Sequence, residues 1–166
     1  MLYHTNTSRY LLHTQLIQTY GSSRRGISRL ANLRLGEGEL SDNRATIRRL
    51  YEGFSKEDSI GWIGAAKALH ILLPQLFVAW DTAIATSYHR IHEDYRKRSN
   101  EKERCIGCYL RFLENCESIA AQLRRNGVSI LMNNHPARKH GIRRTLAKMI
   151  DECNWIRFTD EQNWTT

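Results

Sequence analysis

Apolar residues recur three and four positions apart along nearly the whole chain, and no stretch alternates apolar and polar residues over the length of a strand. That spacing gathers apolar side chains into one stripe of a helix, so the chain must bury helices against helices. Only two prolines interrupt it. The reading is all-α: one domain over 1–166 forming a compact bundle of about six to seven helices, with a basic N-terminal segment over 1–40 and a frayed tail over 159–166.

The punctuation sets the expected elements. A first helix over 5–20 turns Leu12, Leu16, Ile17 and Tyr20 inward and ends at Gly21-Ser22-Ser23. Ser41 or Asp42 caps a second, with Ile47, Leu50, Tyr51 and Phe54 inward and a break over 53–56. Asp58 or Ser59 caps a third over 60–73, the most apolar and so the expected centre of the bundle, which Pro74 terminates because it lacks an amide donor. After a short extended connection over 75–80, Asp81 stands where an N-cap belongs, ahead of a helix running to about 98. A long helix over 102–125 stops at Asn126-Gly127, and a last one covers 137–153 with Ile142, Leu146, Met149 and Ile150 inward.

Charge narrows the partner. Lys and Arg number 25 against 17 acids, a net +8. Residues 1–36 carry Arg9, Arg24, Arg25, Arg29 and Arg34 with no acid, and residues 118–150 carry Arg124, Arg125, Arg138, Lys139, Arg143, Arg144 and Lys148, again with none. If the fold joins these stretches they form one electropositive face, which concentrates polyanions and releases their counterions. DNA or RNA is therefore the expected partner, with the second stretch as the expected nucleic-acid contact. No membrane segment is expected: the most apolar stretch, 65–80, is broken by Lys67, His70, Pro74 and Gln75, and the N-terminus lacks the pattern of a secretory signal. A cytoplasmic protein is expected, nucleoid-associated if it acts on DNA.

Residues 59–92 carry the chemistry. Lys67 lies on the apolar helix, Pro74 breaks that helix, and Asp81 opens the next, so the two can face one another. Desolvation against an apolar wall frees a lysine amine for nucleophilic attack, and a carboxylate at a helix N-terminus is stabilised by backbone amides and the helix dipole. Trp62 and Trp80 offer flat area suited either to a core or to base stacking.

The segments Ile63-Gly64-Ala65-Ala66-Lys67-Ala68 and Val78-Ala79-Trp80-Asp81-Thr82-Ala83-Ile84 resemble two pieces of the helix-hairpin-helix DNA glycosylases, the endonuclease III and 8-oxoguanine glycosylase relatives. The resemblance implies the helical core of that superfamily and a base-excision glycosylase or lyase. Lys67 would attack C1′ of a flipped nucleotide, expel the base and form a Schiff base, and Asp81 would stabilise the oxocarbenium charge. The chemistry requires the base to leave the stack. Two other readings stay open: a non-catalytic nucleic-acid-binding helical protein, and a basic module that meets an acidic protein.

The remaining candidates favour packing. Cys105, Cys108 and Cys116 fall roughly along one helical face, and four cysteines are expected as reduced core residues. His89 and His92 lie one turn apart without a clear third ligand. No metal and no small-molecule cofactor are expected.

Overall fold

The computed structural model describes residues 4–56, 60–91, 101–128 and 145–157. Among the described residues it is all-α, with α1 His4–Leu30, α2 Arg44–Ser55, α3 Gly61–Leu72, α4 Thr82–Ile91, α5 Glu101–Arg125 and α6 Leu146–Trp155, and no strand. No described helix is long and apolar enough to cross a membrane.

The N-terminal helix differs from expectation. It does not end at Gly21-Ser22-Ser23 but continues to Leu30, taking in most of the basic segment. A helix-interior glycine costs only about 1 kcal/mol relative to alanine, and the burial of Thr19, Ile27 and Leu30 outweighs it. Small residues here bring helices together. A Cβ added to Gly26 would stand 3.0 Å from Leu50 Cδ2, and one added to Gly53 would stand 3.8 Å from Ser23 Oγ. With the Arg29 Nε–H donating to Asn43 Oδ1 at 3.2 Å, these pairings run in opposite chain directions, so α1 and α2 form an antiparallel hairpin. The inward stripe passes through Leu16, Thr19, Ser23 and Gly26, the last two against α2, which leaves Ile17 and Tyr20 on the flank, exposed rather than inward. The side chain of Leu12 lies outside the described residues.

On α2 the expected stripe is the buried one: Ile47, Leu50, Tyr51 and Phe54. Its cap is not Ser41 or Asp42. Asn43 occupies that position without bonding the helix amides, because its side chain accepts from Arg29 and donates to the Glu39 carbonyl at 3.0 Å, tying down the preceding loop instead. Asp58 and Ser59, expected to cap α3, lie outside the described residues.

The centre of the bundle is α5, not α3. α3 buries Ala65, Ala66 and Leu69 but turns Lys67 and Ile71 to solvent. Its apolar character comes largely from small side chains, which fill little core volume. α5 buries an unbroken run, residues 105–110, together with Phe112, Leu113, Cys116 and Ala120. Tyr109 stacks on Tyr51 with centroids 4.1 Å apart, Trp80 meets Tyr109 edge-on at 5.0 Å, and Phe112 lies 5.5 Å from Trp80 and 5.0 Å from Tyr88. Four elements thus share one aromatic cluster, and burial raises the Tyr51 and Tyr109 hydroxyls well above the ordinary phenol range.

The connection between α3 and α4 is exposed at Pro74 and Gln75 and buried over 76–78, and four of its carbonyls are paired. Pro74 O accepts from Thr145 Oγ1 at 2.7 Å, Gln75 O from the Leu35 amide at 2.9 Å, Phe77 O from His70 Nδ1 at 2.7 Å and Val78 O from Tyr109 Oη at 3.0 Å. Asp81 caps α4 as expected, its Oδ1 accepting from the Ile84 amide at 2.8 Å. Gly127, with φ +76°, ends α5 in the left-handed conformation that Asn126-Gly127 implies. α6 starts at Leu146 behind Thr145, whose hydroxyl also accepts from the Lys148 amide at 3.0 Å; residues 137–144, expected to belong to this helix, lie outside the described residues.

Cys105, Cys108 and Cys116 are buried, whereas Cys153 is exposed on α6, contrary to the expectation of four core thiols. Its position on the outward side of the ten-residue helix α6 explains the difference. Burial raises the Cys116 thiol far above the usual range, which removes its thiolate. We expect Ellman's reagent to titrate one thiol per chain rapidly in native protein and the other three only on denaturation; rapid reaction of all four would contradict this packing.

Candidate nucleic-acid interface

Lys67 is exposed on the outward side of α3. Asp81 is half-buried and caps α4. Trp62 packs partly buried against the core, and Trp80 is 1% exposed, its ring held by Tyr109 and Phe112, so a base could stack on Trp80 only if the cluster opened. An open cleft of about 270 Å³ lies elsewhere, lined by Gly38, Leu40, Ser41, Arg44, Glu114 and Glu117. Neither Lys67 nor Asp81 lines it.

The cleft belongs to a clasp between the loop after α1 and the middle of α5. Gly36 and Gly38 both have positive φ, +87° and +83°, a conformation glycine adopts without the clash that a Cβ creates. Their amides converge on one carboxylate: Glu117 accepts from Gly36 N–H at 2.5 Å and from Gly38 N–H at 2.7 Å. Gly36 is pressed so closely on α5 that a Cβ would meet the Ala120 carbonyl carbon at 2.7 Å. Arg124 completes the clasp, its Nε–H donating to Leu35 O at 3.0 Å and a terminal nitrogen lying 3.4 Å from Glu37. Arg44 bridges to Glu114 at 2.8 Å on the open side.

The clasp joins the end of the first acid-free stretch to the beginning of the second: Leu35 follows Arg34, and Arg124 precedes Arg125. Arg24, Arg25, Arg29, Arg34 and Arg125 are exposed. Arg124 is half-buried and engaged by the loop, while Lys148 pairs with Asp151 at 2.6 Å, so these two serve the fold as well as the surface charge. Arg138, Lys139, Arg143 and Arg144 lie outside the described residues.

Counting acid-free runs misses Arg49 and Lys56, both exposed, because acids stand near them in sequence. The available signal was helical spacing, since both fall opposite the Ile47, Leu50, Tyr51 and Phe54 stripe of α2. Glu117 was missed for another reason: its amide partners are 81 and 79 residues away. Among the described residues no group of His, Cys, Asp and Glu side chains is arranged to hold a metal ion. The chain matches no family model, no curated protein and no solved structure.

Proposed function

We propose that the chain is a helical nucleic-acid-binding protein that holds the phosphate backbone through its arginine-rich surface. The observation that carries this reading is the bond from Arg124 to the Leu35 carbonyl, which draws the acid-free stretch that begins in α5 onto the one ending after α1. Exposed arginines then sit on both sides of one junction. Guanidinium groups suit this role because they stay charged and bind phosphate in a bidentate manner. Binding of labelled DNA and RNA oligonucleotides should fall steeply with salt, by about 0.9 logarithmic units per duplex phosphate contact for each tenfold rise in salt. No retention of either polymer at low salt would overturn the proposal and favour a module that meets an acidic protein.

Glycosylase or lyase chemistry is a second reading, supported by Asp81 at the N-terminus of α4. Lys67, exposed on α3, would be its nucleophile. Borohydride trapping on duplexes containing abasic sites, uracil or 8-oxoguanine separates the two. Binding without a covalent adduct is expected of the binding protein, whereas an adduct that disappears in Lys67→Gln would establish the lyase.

A further inference from the structure

Two exposed stripes lie on the α1–α2 hairpin, both turned away from the core. On α1, Gln18, Ser22, Arg25 and Arg29 are spaced four, three and four residues apart, and all are exposed. On α2 and its C-cap Lys56, residues Ala45, Arg49, Glu52 and Lys56 repeat the same spacing; Glu52 is half-buried and the others are exposed. Such spacing keeps side chains on one helical face. The close contact at Gly26 and Gly53 sets the two stripes side by side, and the Arg29–Asn43 bond fixes the closed end of the hairpin. The α1 stripe has no acid, and the Glu52 carboxylate of the α2 stripe is engaged by Arg48 at 2.7 Å.

We infer that this outward face of the α1–α2 hairpin is the surface that grips the backbone of double-stranded nucleic acid, with Arg25, Arg29, Arg49 and Lys56 on phosphates and Gln18 and Ser22 as neutral hydrogen-bonding partners. The inference rests on the nucleic-acid reading above and names the face and the strand state. Arginine, lysine, serine and glutamine are among the side chains that position a protein on phosphate and sugar. Ala45 adds no hydrogen bond, but its single methyl does not hold a polymer away from its neighbours. The duplex is favoured because, among the described residues, the face carries no aromatic ring. Sequence-tolerant single-strand binding depends on aromatic stacking platforms, yet exposed Tyr20 falls on the flank with Ile17 and Arg24, and Trp155 lies on α6. Contacts confined to the backbone make the grip independent of base sequence.

The test is fluorescence anisotropy of the full chain with a mixed-sequence DNA duplex across a salt series. The variants are the triple Arg25→Gln, Arg29→Gln, Arg49→Gln; the double Arg25→Glu, Arg49→Glu, which keeps the Arg29–Asn43 bond; and Arg34→Gln with Arg125→Gln at the clasp. Circular dichroism melts establish that each variant is folded. Three lost contacts should lower the slope of log affinity against log salt by about 2.7, and affinity near 0.1 M salt by on the order of a hundredfold. The charge-reversal double should weaken binding at least as much, and the clasp pair less. Unchanged affinity in both hairpin variants, with wild-type binding intact, would overturn the assignment of the face and leave nucleic-acid binding standing. Tighter binding of single-stranded oligonucleotide or polyglutamate than of duplex would overturn the duplex assignment. If the wild-type chain binds neither duplex nor single strand at low salt, both readings fall.

Discussion

Replacing Gly36 with alanine should destabilise the protein by about 3 kcal/mol, combining roughly 1–2 kcal/mol for a side chain forced into the left-handed region with 1–3 kcal/mol for overpacking. The steric part is unusually hard to relieve. The added Cβ would stand 2.7–2.8 Å from the backbone and Cβ of Ala120 and the amide of Ala121, atoms in a buried helix that no rotamer change can move. Relaxation would have to lift the loop, breaking the Gly36 and Gly38 bonds to Glu117. For a chain of this size the loss corresponds to a fall in Tm of roughly 6–12 °C. Gly38→Ala is the internal control: its φ is also positive, +83°, but nothing lies within 4 Å of the added Cβ, so it should cost only about 1 kcal/mol. Equal losses in the two variants would show that close approach to α5 is not the reason for Gly36. Glu117→Gln should partly mask the Gly36→Ala effect, since the residues act on one contact.

Trp80→Ala should cost about 3–5 kcal/mol, the range for truncating a buried aromatic. Trp80 is 1% exposed and its ring contacts Tyr109 and Phe112, so truncation opens a cavity where α5 and the α3–α4 connection meet. A rigid core cannot collapse to fill it. Urea unfolding should show a lower midpoint at an unchanged m value. Trp80→Phe, which keeps part of the ring, should lose less. A loss below about 1 kcal/mol in Trp80→Ala, with weakened nucleic-acid binding, would instead indicate a surface role for the indole.

Local signals survived translation from sequence to structure. The α2 stripe, the Asp81 cap and the Asn126-Gly127 stop each depend on residues within one or two turns, and the chain uses them as written. Failures came where a distant partner decides. Gly21-Ser22-Ser23 has the composition of a helix end, but α2 supplies a packing surface beyond it, and Ser23 and Gly26 become contact residues. Mean hydropathy pointed to α3 as the central helix, whereas volume selects α5, whose aromatic and aliphatic side chains fill the core. Charge-run counting found the arginines of α1 but not Arg49 and Lys56, which only the hairpin register sets beside them.

The long sequence separation of the clasp has a consequence for how the chain is made. Gly36 emerges from the ribosome 81 residues ahead of the glutamate that binds its amide, an interval of roughly 4–16 s at ordinary elongation rates of 5–20 residues per second. Throughout that interval water must solvate the two glycine amides, and the turn has no partner to hold its left-handed shape. α1 and α2, by contrast, already have each other. The basic hairpin is thus complete as a unit of sequence while the helix that will close the domain behind it is still being translated.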